Sequence, residues 1–474
     1  MKLSRRHFIQ LSGLGLMAGP TLVTASPQTE TPHQSESGVR RLRLVLKPES
    51  HHWFAPLGEP VGLWAFDRDV LRLRQGEPVE IEVENQLPDP SSVHWHGMRI
   101  DNPMDGVSGL TQEPIAPGER FIYRFTPQDA GTYWAHSHHK TYEQLARGLY
   151  LPLIVDEQEP VEVDRDLVLT LDDWRLNEAR QFDTASLGAM HDWAHGGRTG
   201  NLLTVNRQLQ PRFKVKGGER IRLRLLNTAN ARIMAVRLPD LPSWIWAKDG
   251  QPLTTPRGHS GPLLLAPAER YDLVVDIPAQ AQGALAIQLQ TDGAPIDLAL
   301  LQIDGQIDGQ IGQGERDEPQ PLPANPLPQL ADQPVDHRVQ LDMTGGAMGG
   351  LRQAVYGGQT LSTRELVQNK QIWAFNGVVN MPEQPLLEVR SGDLVEVEML
   401  NNTRWPHSLH LHGHHFQSDL ARYNQGLWHD TVVMASGERT KIRFRADKPG
   451  SWLLHCHMIE HQAAGMVSWI RVRA

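Results

Sequence analysis

Residues 71–85 read LRLRQGEPVEIEVEN, and the same pattern occurs twice more, as FKVKGGERIRLRLLN at 213–227 and LEVRSGDLVEVEMLN at 387–401. In each stretch, apolar residues occupy every second position on both sides of a Gly-Glu or Gly-Asp pair. Such alternation is typical of half-buried β-strands, and the central pair predicts a turn. We therefore expect one antiparallel hairpin, repeated three times along the chain.

A second pattern follows each of these stretches: APGERFIYRF at 116–125, APAERYDLVV at 266–275 and ASGERTKIRF at 435–444. The ordered recurrence of both patterns indicates one structural unit present three times. Short strands between Gly and Pro turns, with almost no helical periodicity, favour β-sandwiches. We therefore predict an all-β protein with three domains, at 40–157, 158–305 and 336–474, and a proline-rich linker at 306–335.

The composition is that of a folded protein with several domains. The chain has 474 residues, and at roughly 150 residues per domain this length gives a prior of about three domains. Its 46 Lys and Arg against 55 Asp and Glu give a net charge of −9, which argues against a nucleic-acid or anionic-membrane partner. Cys456 is the only cysteine, so an intrachain disulfide is excluded.

The first 25 residues differ from the rest of the chain. Arg5 and Arg6 precede an uncharged, weakly apolar stretch at 11–25 that ends in VTA and is interrupted by glycines and Pro20. This order resembles a twin-arginine export signal cleaved near Ser26, whereas a frayed basic N-terminus is the alternative. The resemblance implies that the twin-arginine machinery exports the folded protein to the periplasm or another extracytoplasmic space. The stretch is too short to span a bilayer, so we expect no stable membrane association.

The 22 histidines are concentrated in His-x-His pairs, whose side chains point to one face of a strand. One pair follows the first pattern in the first repeat and another follows it in the third, at His94/His96 and His410/His412. Each of these two repeats has a further pair that begins five residues after a glycine, Gly131 or Gly450. The middle repeat has no histidine at these places. The pairs are His94/His96, His136/His138, His410/His412, His412/His414 and His455/His457.

Cys456 lies between two of these histidines, with His461 five residues on and Met466 ten residues on. Together with His407, they supply two imidazoles, one thiolate and one thioether, which is typical of a blue-copper electron-transfer site. A closed zinc site and a buried structural cysteine are the alternatives.

Four segments carry these residues: 94–96, 136–138, 407–412 and 455–466. In this order and spacing, they resemble the copper-binding motifs of the multicopper oxidases. The threefold repeat resembles the three cupredoxin-like Greek-key β-sandwich domains of that family. The resemblance implies four copper ions per chain, one of type 1, one of type 2 and two of type 3. By matching position, the type 1 ligands are His407, Cys456, His461 and Met466, and the type 2 ligands are His94 and His410. The type 3 ligands are His96, His136 and His457 for one ion, and His138, His412 and His455 for the other.

The resemblance also implies an activity: a donor is oxidised one electron at a time, with Cys456 in the electron path, and O2 is reduced to water. Asp105, nine residues after His96, matches an acidic residue that assists proton delivery, although an Asp-Gly turn is an equal explanation. Gln462 departs from the pattern, since many relatives have Glu there. An amide cannot relay protons by ionising, so O2 reduction is expected to be slower or to depend differently on pH.

The donor is the least determined part of the prediction. The 13 methionines are scattered, and Thr403 and Trp405 precede His407, which favours a laccase-like oxidase of phenols and aromatic amines that acts as a monomer. A metallo-oxidase for Cu(I) or Mn(II) in copper tolerance is the first alternative. The second is a periplasmic copper-binding or cell-division scaffold without turnover.

The remaining histidines are not predicted to be ligands. His139, His414 and His415 lie beside the clusters but outside the matching positions, so we expect them to support the ligands or face solvent. Five others are interpreted as ordinary polar residues: His51, His52, His191, His195 and His259.

Overall fold

The structure is a computed structural model that describes residues 38–56, 58–307, 316–330, 333–420, 422 and 426–474. In that part of the chain β-strands predominate and the α-helices are only four to six residues long, so the all-β prediction is confirmed. The α-helices are α1 Thr141–Gln144, α2 Met190–Ala194, α3 Thr363–Gln368 and α4 Ile459–Ala463. Two 3-10 turns lie at Asn102–Met104 and Thr184–Ser186.

The first two sheets pack face to face, and we call them the first sandwich. They are ordered β2-β1-β4-β6 and β3-β8-β7-β5. Apolar residues from both sheets, among them Leu44, Val83, Trp95 and Leu151, form one buried core between them. The strands are β1 Arg40–His51, β2 Val61–Phe66, β3 Leu71–Arg74, β4 Val79–Asn85, β5 His94–His96, β6 Arg120–Phe125, β7 Gly131–His136 and β8 Tyr150–Asp156.

The middle sandwich has sheets ordered β10-β9-β12-β17-β14-β15 and β11-β19-β18-β13-β16. Leu169, Leu223, Val236 and Ile287 lie in its core. Its strands are β9 Arg165–Trp174, β10 Leu202–Val205, β11 Arg212–Gly217, β12 Arg220–Asn227, β13 Met234–Arg237, β14 Ser243–Lys248, β15 Gln251–Gly258, β16 Pro262–Leu265, β17 Arg270–Asp276, β18 Ala284–Leu289 and β19 Ile296–Gln306.

The third sandwich has sheets ordered β23-β20-β25-β30-β27-β28 and β24-β32-β31-β26-β29, with β21 and β22 as a separate pair. Cys456 and Met466 belong to its buried core. Its strands are β20 His337–Gly345, β21 Gln353–Tyr356, β22 Gln359–Ser362, β23 Trp373–Phe375, β24 Leu387–Arg390, β25 Leu394–Asn401, β26 His407–Leu411, β27 Phe416–Ser418, β28 Trp428–His429, β29 Thr431–Met434, β30 Arg439–Arg445, β31 Gly450–Cys456 and β32 Val467–Arg473.

The expected hairpins at the three repeats are wrong, although the strands and turns are present. The two strands of each repeat do not pair: β3 pairs with β8 and β4 with β1 and β6, and the same separation holds for β11 and β12 and for β24 and β25. The turn carries the chain from one sheet to the other, so both strands bury their apolar face in the common core. Alternation predicts which face of a strand is buried, but it does not specify the neighbouring strand.

Two glycines allow neighbouring sandwiches to approach closely beside the histidine pairs. Gly450 has φ +141°, and a Cβ there would lie 2.3 Å from Asn102 of the first sandwich. The Asn102 side chain donates to the Ser451 carbonyl at 2.7 Å and so fixes the start of β31. Gly131 has φ +147° and approaches Gly250 of the middle sandwich in the same way. These contacts hold β7 and β31, the strands that carry two of the histidine pairs.

Residues 316–330, within the predicted linker, contain no helix or strand but are hydrogen-bonded to the sandwiches. The Asn325 side chain accepts the Ala130 N–H at 2.8 Å and donates to the side chain of Gln251 at 2.8 Å. It therefore joins the first and middle sandwiches. Residues 1–25, where the export signal is predicted, lie outside the described residues. None of the helices in the described ranges is long and apolar enough to cross a membrane.

Candidate metal centres

Strand pairing brings the four histidine segments together between the first and third sandwiches. His94 lies opposite His136 where β5 pairs with β7, and His410 lies opposite His455 where β26 pairs with β31. Strands β5, β7 and β26 are completely buried, as are the last five residues of β31, so their histidines remain out of solvent. The resulting site receives four histidines from each of the two sandwiches.

One group of three converging nitrogens comprises His138, His412 and His455. The Nδ1 atom of His412 lies 2.9 Å from Oδ2 of Asp105, and that of His455 lies 3.0 Å from the Cys456 carbonyl. Because these oxygens only accept, each Nδ1 carries the proton and each Nε2 has a lone pair. The two Nε2 atoms face each other at 3.1 Å, which is favourable only with a cation between them.

A second group comprises His96, His136 and His457. Nε2 of His96 faces Oδ1 of Asp430 at 3.2 Å, which leaves its Nδ1 buried and without a hydrogen-bond partner. Nδ1 of His136 faces the Ser137 carbonyl, and its Nε2 lies 3.4 Å from Nε2 of His457. The lone pair of the His136 Nε2 atom therefore points at an imidazole nitrogen of His457.

The third group contains His94 and His410, with His96 beside them. Nδ1 of His94 faces the Asp105 carbonyl and Nδ1 of His410 faces the Asp430 carbonyl, both at 2.8 Å. Their Nε2 atoms are buried and have no hydrogen-bond partner. The same two residues, Asp105 and Asp430, therefore orient ligands in more than one group.

The protonation of these groups suits metal binding. Burial, followed by the neighbouring histidines, lowers the pKa of His136, His138, His412 and His457 well below the usual range. Burial also lowers the pKa of His455 to about 3. Neutral imidazoles with unpaired nitrogens are donors that suit copper, as they suit zinc, iron and nickel. The residues present therefore fit copper.

A separate group in the third sandwich contains Cys456, His407 and His461. The two Nδ1 atoms are 3.0 Å apart, and Sγ of Cys456 lies 3.6 and 3.7 Å from them. These spacings suit three ligands around one ion with bonds of about 2.0 to 2.3 Å. Burial raises the pKa of Cys456 to about 12, so an ion must displace the thiol proton to bind there. Met466 is also completely buried, and its backbone carbonyl accepts the Cys456 N–H at 3.1 Å.

The outer edges of both imidazoles in this group are occupied. Nε2 of His461 donates to the His195 carbonyl at 2.7 Å, and Nε2 of His407 faces Oγ1 of Thr403 at 2.9 Å. These bonds direct both Nδ1 atoms toward Cys456. The middle sandwich, through His195, thus covers the His461 ring.

Asp105 ends a 3-10 turn and is almost completely buried. Its Oδ2 contacts His412 and its Oδ1 lies 3.2 Å from Nδ1 of His94, so this carboxylate lies between two of the histidine groups. Gly106 has φ +80°, so the Asp-Gly turn and the carboxylate contacts occur together. Gln462 is not in any group of converging ligand atoms among the described residues, and its Oε1 is buried without a partner.

Several residues around the groups were missed by sequence reasoning. Glu460 accepts the Arg198 N–H at 3.0 Å and the Asn230 side chain at 2.9 Å, which joins the segment after Cys456 to the middle sandwich. Burial raises the pKa of Glu460. The position of Glu460 in the sequence, between His457 and His461, is the signal that could have identified it. His414 and His415 are buried but outside the converging groups found in the described ranges.

Comparisons with known proteins agree with this geometry. The sequence models of the multicopper oxidase family match residues 65–160 and 357–474. The multicopper oxidase MmcO of Mycobacterium tuberculosis is 30% identical to this chain, over 84% of this chain and 80% of that protein.

Two solved structures have the same cupredoxin-like fold. A multi-copper oxidase from Pseudomonas thermotolerans has a TM-score of 0.78 at 28% identity, and the match covers 92% of this chain and 99% of that one. Lac15 from a marine microbial metagenome has a TM-score of 0.72 at 34% identity, with 91% and 100% covered. With buried histidine groups that fit copper and relatives of this similarity, the chain belongs to the multicopper oxidase family.

Proposed function

We propose that this chain is a laccase-like oxidase that holds four copper ions and uses them to reduce O2 to water. The type 1 ion would be held by His407, Cys456, His461 and Met466, and the type 2 ion by His94 and His410. The two type 3 ions would be held by His96, His136 and His457 and by His138, His412 and His455. When bound, the copper ions supply the one-electron redox steps and the site at which O2 reacts.

The observation that carries this proposal is the position of Cys456 in the chain. Its Sγ belongs to one group of ligand atoms, while its neighbours His455 and His457 belong to two others. Three consecutive residues therefore join the site of electron entry to the site of O2 reduction. The complete set of ligand side chains argues against a scaffold without turnover.

The donor would give up its electron near His407 and His461 without touching either ring, because both outer edges are already bonded. A surface cavity of about 320 Å³ lies next to Thr403, the contact of His407, and is also lined by Met348, Arg404 and Ser436. This volume lies at the lower end of the range for ligand pockets, so the cavity could admit a small organic donor such as a phenol or an aromatic amine.

Asp105 would hold and move the protons that O2 reduction consumes. Its two carboxylate oxygens face Nδ1 of His94 and Nδ1 of His412, one from each sandwich. A carboxylate in this place orients both rings, and it could take up a proton and pass it to O2 that reacts among these histidines. We further propose that the signal at residues 1–25 directs the folded monomer to the periplasm through the twin-arginine machinery.

The test is O2 consumption by the copper-loaded protein with phenols, aromatic amines, Cu(I) and Mn(II) as donors. We expect phenol-dependent O2 uptake without accumulation of hydrogen peroxide. The Cys456→Ser variant should lose both the intense blue absorbance and the uptake. Absence of O2 uptake with every donor by fully loaded protein would contradict the proposal.

A further inference from the structure

The cavity beside Thr403 contains a positive charge without a counter-charge. Among the described residues that line it, Arg404 is the single charged one, and no lining residue is acidic. Arg404 is exposed, and no carboxylate in the described ranges pairs with it. The chain as a whole has a net charge of −9, so this cavity differs in sign from the average surface.

The carboxylate next to the cavity in the sequence is already neutralised. Glu438 follows the lining residue Gly437 and binds two nitrogens of the Arg422 guanidinium, at 2.5 and 2.6 Å. It also accepts the Ala435 N–H at 2.8 Å. The hydrogen bond from Arg422 lowers the pKa of Glu438, which therefore stays ionised and paired with Arg422. Arg404 is thus left to bind an anion from outside the chain.

A rigid turn holds the main chain of Arg404 at the cavity. The Asn401 side chain donates to the Trp405 carbonyl at 2.8 Å and accepts the Thr403 N–H at 3.1 Å. The Ser436 hydroxyl donates to the Thr403 carbonyl at 2.5 Å. Because both neighbours of Arg404 are fixed in this way, a ligand has to order only its side chain, which keeps the entropic cost of binding small.

The same cavity has room for an aromatic ring close to His407. Thr403 is 3% exposed and its Oγ1 lies 2.9 Å from Nε2 of His407, so it separates the cavity from that imidazole. Met348, which is 71% exposed, lines the cavity together with Gly349 and Gly350. A thioether makes favourable contacts with aromatic rings, and glycines let a ligand approach the backbone closely. A donor in this cavity therefore has apolar contacts for a ring and one cation for an acidic group.

We propose that the cavity selects phenols that have a carboxylate on the ring, and that Arg404 binds this carboxylate; this rests on the proposed oxidase function. The planar guanidinium presents paired N–H donors that match the two oxygens of a carboxylate. Each phenol loses one electron and its hydroxyl proton and leaves as a phenoxyl radical. Four phenols and one O2 give four phenoxyl radicals and two waters. A donor with a cationic group is disfavoured by the same charge.

The experiment uses two phenols that differ only in the carboxylate: vanillate has it and guaiacol lacks it. KM is measured with copper-loaded protein at about pH 7, where the carboxylate is ionised. We expect the ratio of the vanillate KM to the guaiacol KM to rise about fivefold in Arg404→Gln, which is the upper end for an ion pair at a surface. Arg404→Lys should keep most of the wild-type ratio. The matched control is Arg237→Gln, which changes an exposed arginine on β13 outside the cavity and should leave the ratio unchanged.

A second measurement does not depend on turnover. Veratrate is vanillate with its phenol oxygen methylated, so it keeps the carboxylate but cannot form a phenoxyl radical. Its dissociation constant, measured by ligand-observed NMR on the copper-loaded protein, should rise by a similar factor in Arg404→Gln and not in Arg237→Gln. Added salt should weaken veratrate binding to the wild type more than to Arg404→Gln, because salt screens the ion pair.

An unchanged KM ratio and unchanged veratrate binding in Arg404→Gln would overturn the proposal. Equal rises in KM for both phenols would also overturn it, and would indicate that the guanidinium contacts the ring. Displacement of veratrate by an equal concentration of inorganic phosphate would overturn the selectivity for aromatic acids and indicate a general anion site. If neither phenol supports O2 uptake, the oxidase function fails, whereas veratrate binding that depends on Arg404 would still support the carboxylate site.

Discussion

Arg270 of the middle sandwich holds both carboxylate oxygens of Asp430 of the third, with nitrogen–oxygen distances of 2.8 and 2.6 Å. Asp430 in turn contacts His96 through its side chain and His410 through its backbone carbonyl. All four residues are completely buried. The middle sandwich, which supplies no candidate ligand, therefore fixes the orientation of one ligand from each of the other two.

Replacing Arg270 with Met should destabilise the protein and disturb the histidine groups. Burial by itself would raise the pKa of Asp430, but the charge and hydrogen bonds of Arg270 lower that pKa below its usual range. The Arg270→Met variant therefore leaves a buried carboxylate without its counter-charge. We expect a loss of about 3 to 5 kcal/mol in the free energy of unfolding. Denaturant melts of the metal-free protein measure this loss, and the electron paramagnetic resonance spectrum of the copper-loaded variant should change.

Arg220→Met is the matched control, since Arg220 also binds an aspartate, Asp276, through two nitrogens in the same sandwich. That pair is more exposed, at 11% and 14%, and distant in sequence from every candidate ligand, so the cost should be smaller than that of Arg270→Met. The copper spectrum should remain that of the wild type. Identical spectra in both variants would mean that Arg270 only stabilises the fold.

Asp105→Asn should separate electron entry from O2 reduction. The amide keeps the size of Asp105 and one oxygen to accept the Nδ1–H of His412, but it removes the ionisable group and the second acceptor oxygen, which faces His94. We expect anaerobic reduction of the blue copper at a near-normal rate, and reoxidation by O2 slowed about 10²-fold, which is the lower end for general acid–base assistance. Stopped-flow absorbance measures both steps.

The companion variant Gln462→Glu restores the carboxylate that the family pattern expects. Its reoxidation should be as fast as that of the wild type or faster. Normal reoxidation in Asp105→Asn would show that this aspartate acts only in its turn and in orienting His94 and His412.

Removal of copper should lower the melting temperature. The first sandwich contributes His94, His96, His136 and His138 and the third contributes His410, His412, His455 and His457, so ions bound there would join the two sandwiches. Binding to the folded state alone stabilises it, and we expect a fall of roughly 5 °C or more on chelation. Re-addition of copper should restore the original value. Superimposable melting curves for verified metal-free and copper-loaded protein would contradict ions that bridge the sandwiches.

The candidate ligands could be predicted because their order and spacing resemble the copper-binding motifs of the multicopper oxidases, and alternation along a strand explains why paired histidines reach one side. His94 and His96, two residues apart on β5, need only their local geometry to reach one side. The pairing of sheets could not be predicted in the same way. The strands on either side of Gly76 have the expected alternation but join different sheets, a choice made by residues far away in sequence.

The supporting residues were missed for a related reason. Arg270 occupies the same place in the Gly-Glu-Arg-type repeat as Arg120 and Arg439, both of which are exposed, while Arg270 is completely buried. The difference arises from packing against Asp430, 160 positions later in the chain. His195 was interpreted as an ordinary polar residue because its contact with His461 is made by its backbone carbonyl, for which side-chain identity gives no signal.

The most direct test of the central claim is the number and kind of metal ions per chain, measured by native mass spectrometry together with elemental analysis. The account predicts four copper ions in the wild type and three in Cys456→Ser, which should lack the blue absorbance but keep the ions held by the eight histidines between the sandwiches. A single copper per chain, or zinc in place of copper, would contradict it.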